Sequence, residues 1–451
     1  MEENRITSGS IPKQMLAFFF PIWFGTFFQF FYNTADAVIV GQFLGKEALA
    51  AVGGPASTIV NLIVNFFVGI ASGSAVIISQ YYGAKNGDKT NRAVHTAIAL
   101  AIVGGALLGV LGFVFSPAML GAMGTPEDVI GYAVTYIRIY FAGMIFNTIY
   151  NVGSGILRAV GDSRRPLYFL IFSSIVNVVL DLVFILVFKM GVAGAAWATI
   201  ISQAVSAVLI LISLNGAPPI YRLIAKNIKL DFPLLGEMVR IGLPAGMQSV
   251  MYSVSNILIQ ASINTFGTDA VAAWAVFGKV DAMFWMTISS FGLTATTFAG
   301  QNFGAKKYDR LKQSVRIATV LAVAFTAVVE VILYIFGPEC ARFFTADASV
   351  IEWCTVMMRF TIPWYITYIL IETIGGAVRG TGDAIVPMII SCIGICVLRS
   401  IWLYTVVPLN HDVRIVCASY PVTWVITSIV FIIYYKQGGW LKRSIKRASD
   451  N

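Results

Sequence analysis

Apolar side chains fill one stretch after another of about 20 residues or more, with short polar segments between them. A helix needs about 20 apolar residues to cross a bilayer core about 30 Å thick. The pattern therefore predicts an all-α integral membrane protein with about twelve transmembrane helices. The predicted spans are 14–38, 54–79, 94–116, 129–152, 167–188, 192–213, 243–265, 270–298, 316–337, 351–374, 386–407 and 413–435.

The composition excludes a soluble particle of this size. Apolar residues make up 58% of the 451 residues and charged residues only 12%, which is too little polar surface for a soluble particle.

The first apolar run is longer than a signal-peptide core and has no small-residue cleavage site, so we expect it to remain as the first span. Neither a zinc site nor a disulfide framework is expected, because five cysteines and two histidines lack the necessary spacing. No cofactor site, nucleophile motif or phosphate loop is found, and the sequence favours a protein that is not an enzyme.

The basic residues predict the topology. Most of the 31 lysines and arginines lie between spans on one side of the predicted membrane, and the net charge is +9. Positive residues favour the cytoplasmic side, so both termini are predicted to be cytoplasmic in a multi-pass protein of the plasma (cell inner) membrane. Nucleic acid is not an expected partner, because the positive charges do not line one soluble face.

An internal repeat organises the chain, because several separate segments recur later in the sequence at one constant offset. The matching residues are Gln80, Gly83, Ala84 and Lys85 with Gln301, Gly304, Ala305 and Lys306, and Arg158, Gly161, Asp162 and Pro166 with Arg379, Gly382, Asp383 and Pro387. The repeat predicts two six-helix bundles, 1–214 and 243–451, joined by a cytoplasmic linker at 215–242. Six spans in each copy make the copies parallel, related by a pseudo-two-fold axis along the membrane normal, with the ligand cleft between them. We expect a monomer.

Two aspartates lie inside predicted spans of the first bundle. An ionised side chain in mid-membrane costs about 2.5 to 3.5 kcal/mol even on a lenient scale. Asp181 shares a helix face with Asn177, four residues earlier, and its depth along the helix coincides with that of Thr199 on the next span. Arg138 is the one obvious cation near by, so Asp36 and Asp181 are expected to bind a proton as a coupled pair. The alternative for Asp36 is a position near the outer helix end, facing water.

The sequence resembles the multidrug and toxic compound extrusion (MATE) family. The motifs that carry the resemblance are GKEALAAVG at 45–53, QYYGAK at 80–85, GQNFGA at 300–305 and the Arg-x-x-Gly-Asp turns at Arg158 and Arg379. A major-facilitator fold fits less well, because the glycine, aspartate and arginine pattern of its basic loop is not found at 83–88. The family resemblance implies antiport of organic, typically cationic amphipathic compounds against protons or sodium ions.

One branch of that family has an aspartate in span 1 behind a helix-bending proline, and an asparagine and aspartate four apart in span 5. The resemblance thus implies a cation-coupling group of Asp36, Asn177, Asp181 and Thr199, to which the family pattern adds Asn147 and Asn151. Pro21 is the implied hinge, although a fixed kink is an equal alternative.

The second bundle has its own charges in apolar surroundings, among them Asp281, Glu372 and Arg399. Internal salt bridging, for example of Arg399 with Glu372, is one interpretation, and a second cation site at Glu372 or Asp281 is the other. Span 7 has Gln248 and no acid, which argues against sodium coupling through this bundle, although a sodium site remains an alternative to the proton. Candidate substrate contacts, besides lipid and core roles, are Tyr32, Gln248, Met251 and Phe284.

The leading hypothesis is a proton-coupled multidrug antiporter that works by alternating access. The alternative on the same fold is a flippase or exporter of a lipid-linked precursor or an endogenous metabolite. A membrane-embedded enzyme is a third class, and no reactive group in the sequence favours it.

Overall fold

The computed structural model describes residues 5–450, and all regular secondary structure in that range is helical. The outermost residues of the two predicted bundles, 1–4 and 451, lie outside the described range. The prediction of an all-α membrane protein built from many spans is confirmed. Ten helices, or helices continued through a short break, are long and apolar enough to cross a membrane, and a bent pair adds an eleventh.

The chain divides into two compact units. The first unit is Phe20–Gly246, and the second comprises Met247–Asn451 together with the residues up to Phe19. The α-helices of the chain are α1 Ile11–Leu44, α2 Lys46–Gly53, α3 Pro55–Gly83, α4 Gly87–Ala122, α5 Glu127–Ala142, α6 Met144–Ala159, α7 Arg164–Leu182, α8 Val192–Asn215, α9 Phe232–Asn264, α10 Thr268–Gly304, α11 Tyr308–Phe344, α12 Ala348–Thr361, α13 Tyr365–Gly380, α14 Ile385–Ser391, α15 Leu398–Thr405, α16 Val413–Gln437 and α17 Gly439–Asp450.

Two of the twelve predicted spans differ from simple apolar helices. The fourth is the bent pair α5 and α6, which meet at 52° around Gly143. The seventh lies within α9, which is not among the helices apolar enough to cross a membrane alone. Polar residues such as Gln248, Ser253 and Gln260 recur along α9 and lower its hydropathy.

Both α1 and α9 begin in one unit and continue in the other. The division falls between Phe19 and Phe20 in α1 and between Gly246 and Met247 in α9, in each case close to a proline inside the helix. Within the second unit, Phe19 stacks on Phe291 with ring centroids 4.0 Å apart.

Glycine permits the close approach of α3 and α9 in the first unit. A Cβ atom on Gly73 would lie 2.0 Å from the carbonyl oxygen of Met238, and one on Gly242 would lie 2.1 Å from that of Ile70. The backbones of the two helices therefore touch, which is how small residues hold membrane helices together.

The segment before α9 is fastened to the start of α4. The backbone N–H of Ile224 donates a hydrogen bond to Nε2 of His95 at 3.0 Å. Nε of Arg92 donates a hydrogen bond to the carboxylate of Asp231, also at 3.0 Å. The Arg92 guanidinium holds the pKa of Asp231 below its usual range. A short 3₁₀ turn at Ala225–Asn227 is the helical part of this segment before α9 begins at Phe232.

The second unit repeats this arrangement at the amino terminus. The guanidinium of Arg310 donates to the carbonyl oxygens of Ile6, Ser8 and Gly9, and Lys307 donates to that of Thr7 at 2.8 Å. The helices that follow the two fastened segments are α1, which begins at Ile11, and α9, which begins at Phe232. These two starting positions differ by the same offset as the repeated sequence motifs. The repeat found in the sequence is thus present in the fold.

Candidate functional site

Asp36 of α1 and Asp181 of α7 meet inside the first unit. Asp36 is 9% exposed and Asp181 is 0% exposed. Their carboxyl groups lie within hydrogen-bonding reach of each other. An ionised carboxylate can only accept hydrogen bonds, so two carboxylates in this geometry repel, whereas one shared proton joins them. A proton shared between the two carboxyl groups would replace this repulsion by a hydrogen bond.

Little else in the surroundings offsets the charge of this acid pair. Both oxygens of Asp181 and one oxygen of Asp36 are buried without a donor among the described residues. The amide oxygen and nitrogen of Asn177 are likewise buried with no hydrogen-bond partner there. The ion pairs in the described part of the chain do not include either aspartate. A buried acceptor with no partner costs about 1 to 3 kcal/mol, and more if it is charged. A proton on one carboxyl group would supply a donor to the other.

Tyrosines surround the acid pair. Tyr32 of α1 and Tyr136 of α5 lie close enough to both carboxyl groups to interact with them electrostatically. Tyr140 stacks on Tyr136 with ring centroids 6.2 Å apart, and its hydroxyl accepts a hydrogen bond from Gln203 at 3.3 Å. Sequence reasoning selected Tyr32 but missed Tyr136, Tyr140 and Gln203. The two tyrosines could have been found from their four-residue spacing, which places them on one face of α5.

The other predicted members of the coupling group make their own contacts. The Thr199 hydroxyl is buried and donates to the carbonyl oxygen of Ala195 at 3.0 Å. Asn151 donates to the side-chain oxygen of Asn147 at 3.0 Å, so these two half-buried amides pair with each other. The structure thus brings Asp36 and Asp181 together and gives Thr199, Asn147 and Asn151 local partners.

A π-helical turn follows the second aspartate. Val183–Val187 continues α7 with a wider winding that starts two residues after Asp181. Such turns interrupt the regular hydrogen-bond ladder and are frequent at functional sites. Pro21, the predicted hinge, lies in α1 two residues after Phe19, the last residue of that helix to belong to the second unit.

Asp281 of the second unit is half-buried at the edge of an aromatic cluster. Its carboxylate accepts a hydrogen bond from the Tyr365 hydroxyl and another from the indole of Trp285, the latter at 2.6 Å. Phe284, predicted to contact substrate, stacks on Tyr365 with centroids 4.0 Å apart and is fully buried. Trp424 packs against the same rings.

The charged residues that lie in apolar surroundings in the second unit do not pair as the sequence suggested. Glu372 lies 3.8 Å from Arg379, further along α13, in place of the expected partner Arg399. Arg399 lies instead over the ring of Tyr420, 4.2 Å from its centroid, and donates to Thr423 at 3.4 Å. Glu372 thus has an internal salt bridge, as one interpretation expected, but Arg399 was the wrong partner.

Gln248 and Met251, the remaining predicted substrate contacts, lie within one turn of each other on α9. Gln248 donates to the hydroxyl of Tyr252 at 3.0 Å. Met251 lines an apolar cavity of about 370 Å³ that α9 forms with residues 396–405. The cavity also contains Ser255, whose buried hydroxyl has no hydrogen-bond partner among the described residues.

Comparison with known proteins shows the family to which this chain belongs. The sequence profile of the MatE family matches the chain twice, at residues 21–183 and 244–405. The chain belongs to the MatE family. The two matches begin at the prolines of α1 and α9, so the family profile recognises the two halves of the repeat separately.

The sequences of curated relatives align with most or nearly all of this MatE-family chain. The probable multidrug resistance protein YoeA of Bacillus subtilis (strain 168) is 30% identical over 97% of this chain and 96% of its own. The probable multidrug resistance protein NorM of Thermotoga maritima is 23% identical over 96% of this chain and 94% of its own. An FAD transporter of Shewanella oneidensis is 25% identical over 78% of each chain.

Solved MATE structures share the fold of this chain. A structure described as the outward-facing conformation of a multidrug resistance MATE family transporter of the MOP superfamily has a TM-score of 0.89 at 21% identity, covering 97% of this chain and 98% of the other. A MOP superfamily transporter from Pyrococcus furiosus, described as having a binding pocket of reversed polarity, has a TM-score of 0.91 at 21% identity, with coverage of 97% and 98%. The MATE fold predicted from the sequence is confirmed.

Proposed function

We propose that this chain exports organic, mostly cationic amphipathic compounds in exchange for protons, with Asp36 and Asp181 as the proton-binding pair. The observation that carries the proposal is the contact between two buried carboxyl groups, neither of which has a cation paired to it among the described residues. The names of the relatives, multidrug resistance proteins over almost the full chain length, support the export of drugs.

Proton binding and cargo binding compete in this proposal. With the shared proton, the Asp36 and Asp181 pair carries one negative charge and the two helices α1 and α7 are joined by a hydrogen bond. Without it, two facing charges favour either an organic cation or a rearranged α1. A proton that arrives from one side can then release cargo on that side, which is the linkage that alternating access requires. Pro21 frees a backbone carbonyl in α1 and supplies the place where that helix bends.

The direction of transport follows from the predicted topology. We propose that the chain acts as a monomer in the plasma membrane with both termini in the cytoplasm, so that entering protons drive export. The basic tail, with Lys442, Arg443, Lys446 and Arg447 on α17, fits the cytoplasmic side.

The test is transport of a fluorescent organic cation in proteoliposomes with independently imposed proton and sodium gradients. We expect a proton gradient to drive uptake in inverted vesicles and a sodium gradient of the same size to have no effect. Asp36→Asn and Asp181→Asn should abolish the response to the proton gradient. Asp128→Asn, which changes an exposed acid in the same unit, is the matched control and should transport as wild type does. A sodium-driven response, or full proton-driven transport by both variants, would reject the proposed coupling.

A second candidate is export of an endogenous anionic metabolite. It is favoured by the similarity to an FAD transporter, whose cargo carries phosphate groups. The same vesicles, loaded with flavin dinucleotide in place of the organic cation, separate the two. Transport of the dinucleotide together with failure to transport the cation would replace the drug-export proposal by this one.

A further inference from the structure

A groove lies in the second unit at the connection between α11 and α12. It has a volume of about 590 Å³, within the range of small-molecule sites. Its lining consists of Pro338 and Arg342 from α11, the connection at Ala346, and one face of α12 from Ala348 to Arg359, which includes Glu352. We refer to these residues as the α11–α12 groove. Three of them are charged: Arg342, Glu352 and Arg359.

The sequence explains why a groove forms here. The lining residues of α12 recur every three or four positions from Ala348 to Arg359, so they share one face of the helix. Pro338 lies inside α11, where its missing N–H removes one backbone hydrogen bond. One face of α12 and the last turns of α11 form the walls of the groove.

Arg359 is at a depth where a lone cation is costly. The span Ala348–Gly380 has 33 residues, so it is about 50 Å long and overshoots a core of about 30 Å by about 10 Å at each end. Arg359 lies about 17 Å from the first residue, so its Cα is several ångströms inside the hydrocarbon boundary. Its long side chain can reach back to the interface, where lipid phosphates lie. No hydrogen bond or ion pair of Arg359 is found within residues 5–450.

The other two charges are also available to a ligand. Arg342 pairs with Glu339 at 3.7 Å, and both side chains are more than half exposed, so the pair contributes little and is easily exchanged. Glu352 is exposed and lies two turns from Arg359, nearer the end of the helix. The groove therefore offers two guanidinium groups and one carboxylate with no strong partner in the described part of the chain.

The first unit has no equivalent set of charges. At the offset of the sequence repeat, Gly121 corresponds to Arg342 and Gly131 corresponds to Glu352. Arg138 does correspond to Arg359, but its guanidinium lies 5.3 Å from the centroid of the Phe113 ring. The two halves of the repeat therefore differ at these positions, and the groove charges belong to the second unit.

We propose that the α11–α12 groove binds the headgroup of a phospholipid of the phosphoethanolamine type. The phosphate lies between Arg342 and Arg359, since guanidinium groups match phosphate oxygens with paired hydrogen bonds. The ammonium group lies against Glu352. The acyl chains leave the groove beside the apolar faces of α11 and α12, and the lipid supplies the anion that Arg359 lacks.

The test compares lipid retention in nanodiscs that contain equal amounts of phosphatidylethanolamine, phosphatidylglycerol and phosphatidylcholine, followed by native mass spectrometry of the released protein. We expect wild type to retain phosphatidylethanolamine selectively. The double variant Arg342→Gln, Arg359→Gln should lose at least about tenfold in retention, because both charge-assisted contacts to phosphate are removed. Glu352→Gln should bring phosphatidylethanolamine and phosphatidylglycerol to equal retention. Arg138→Gln is the matched control and should retain lipid as wild type does.

Two outcomes would overturn the proposal. Equal retention by wild type and the double arginine variant would show that the groove does not bind headgroups. Displacement of the lipid by free glycerophosphoethanolamine at the same concentration would show that the ligand is a soluble phosphodiester. The variant Arg342→Lys, Arg359→Lys keeps the charge of the groove and should retain lipid at an intermediate level, which distinguishes a lost contact from a misfolded protein.

Discussion

Each unit has aspartate on its membrane helices, fully enclosed in the first unit and half-buried in the second, and the hydrogen-bond partners of these acids differ. In the first unit, Asp36 and Asp181 face each other, and both oxygens of Asp181 lack a donor among the described residues. In the second unit, Asp281 has a donor for each oxygen, from Tyr365 and Trp285. The first arrangement gains from a proton and the second is already complete without one. A buried acid is therefore not by itself a coupling site, since its hydrogen-bond partners decide the role.

The largest expected effect is on the stability of the second unit. Asp281→Asn weakens two charge-assisted hydrogen bonds in a buried aromatic cluster, and we expect the free energy of unfolding to fall by about 3 kcal/mol or more. Thermal unfolding in detergent measures the loss. The matched control is Asp269→Asn at the exposed start of α10, which should unfold close to the wild-type temperature. A stable Asp281→Asn variant with altered proton coupling would give the second unit the role assigned to the first.

The next largest effect is on the stability of the first unit, where removal of an acid should not destabilise the protein. Asp181→Asn supplies an amide N–H to Asp36 and removes the repulsion between two carboxylates, so stability should be maintained or rise by about 1 kcal/mol. In wild type, stability should fall as the pH rises and the shared proton is lost, whereas the variant should show little dependence. Unfolding temperatures measured across the neutral range, from mildly acidic to mildly alkaline buffer, test this difference. If the two proteins show parallel curves, the acid pair does not share a proton.

A smaller effect is expected from the tyrosines around the acid pair. Tyr140→Phe removes the hydrogen bond from Gln203 and should cost about 0.5 to 1.5 kcal/mol. Because the ring that packs against Tyr136 is retained, transport should continue with a shifted dependence on pH. The control is Tyr168→Phe, which changes an exposed tyrosine of the same unit. Identical pH profiles for Tyr140→Phe and wild type would exclude Tyr140 from the proton site.

The smallest effect concerns the segment that leads into α9. Asp231→Asn removes the ion pair with Arg92, and we expect faster hydrogen exchange at the amides of 224–231 with little change in transport. The folded-state pKa of Asp231 lies below its unfolded value, so the contribution of this carboxylate is present above the usual aspartate pKa of about 3.9 and is lost as the pH falls through the folded-state value. Exchange rates of wild type and variant should therefore converge in acid. Lys312→Gln, on the exposed surface near the start of α11, is the control and should leave exchange at 224–231 unchanged.

Much of this fold could be predicted from the sequence because the membrane makes the hydrophobic pattern nearly sufficient. The spans, the repeat and the face shared by Asn177 and Asp181 all follow from period and length. The contact between Asp36 and Asp181 joins two different helices, and it was the family resemblance, with the cost of unpaired charge, that suggested it.

Features that depend on how neighbouring helices are rotated could not be predicted in the same way. The helical period indicates the face on which Arg399 lies, but not that Tyr420 lies opposite, and so the expected bridge to Glu372 was wrong. The π-helical turns at Val183–Val187 and Cys392–Val397 also have no composition of their own, because an extra residue in a helical turn changes geometry without changing hydropathy. The polar residues of α9 were visible in the sequence, but the segment was long enough for a span and was therefore predicted as an ordinary one.

The early part of α1 has a consequence for biosynthesis. Phe19 packs on Phe291, which the ribosome adds only after it has made more than half of the chain. At about 5 to 20 residues per second, the amino-terminal turns of the chain wait roughly 15 to 55 seconds for this contact. The first helix therefore enters the bilayer long before its own beginning has anything to pack against, and lipid or the insertion machinery must accompany it until the second half is made.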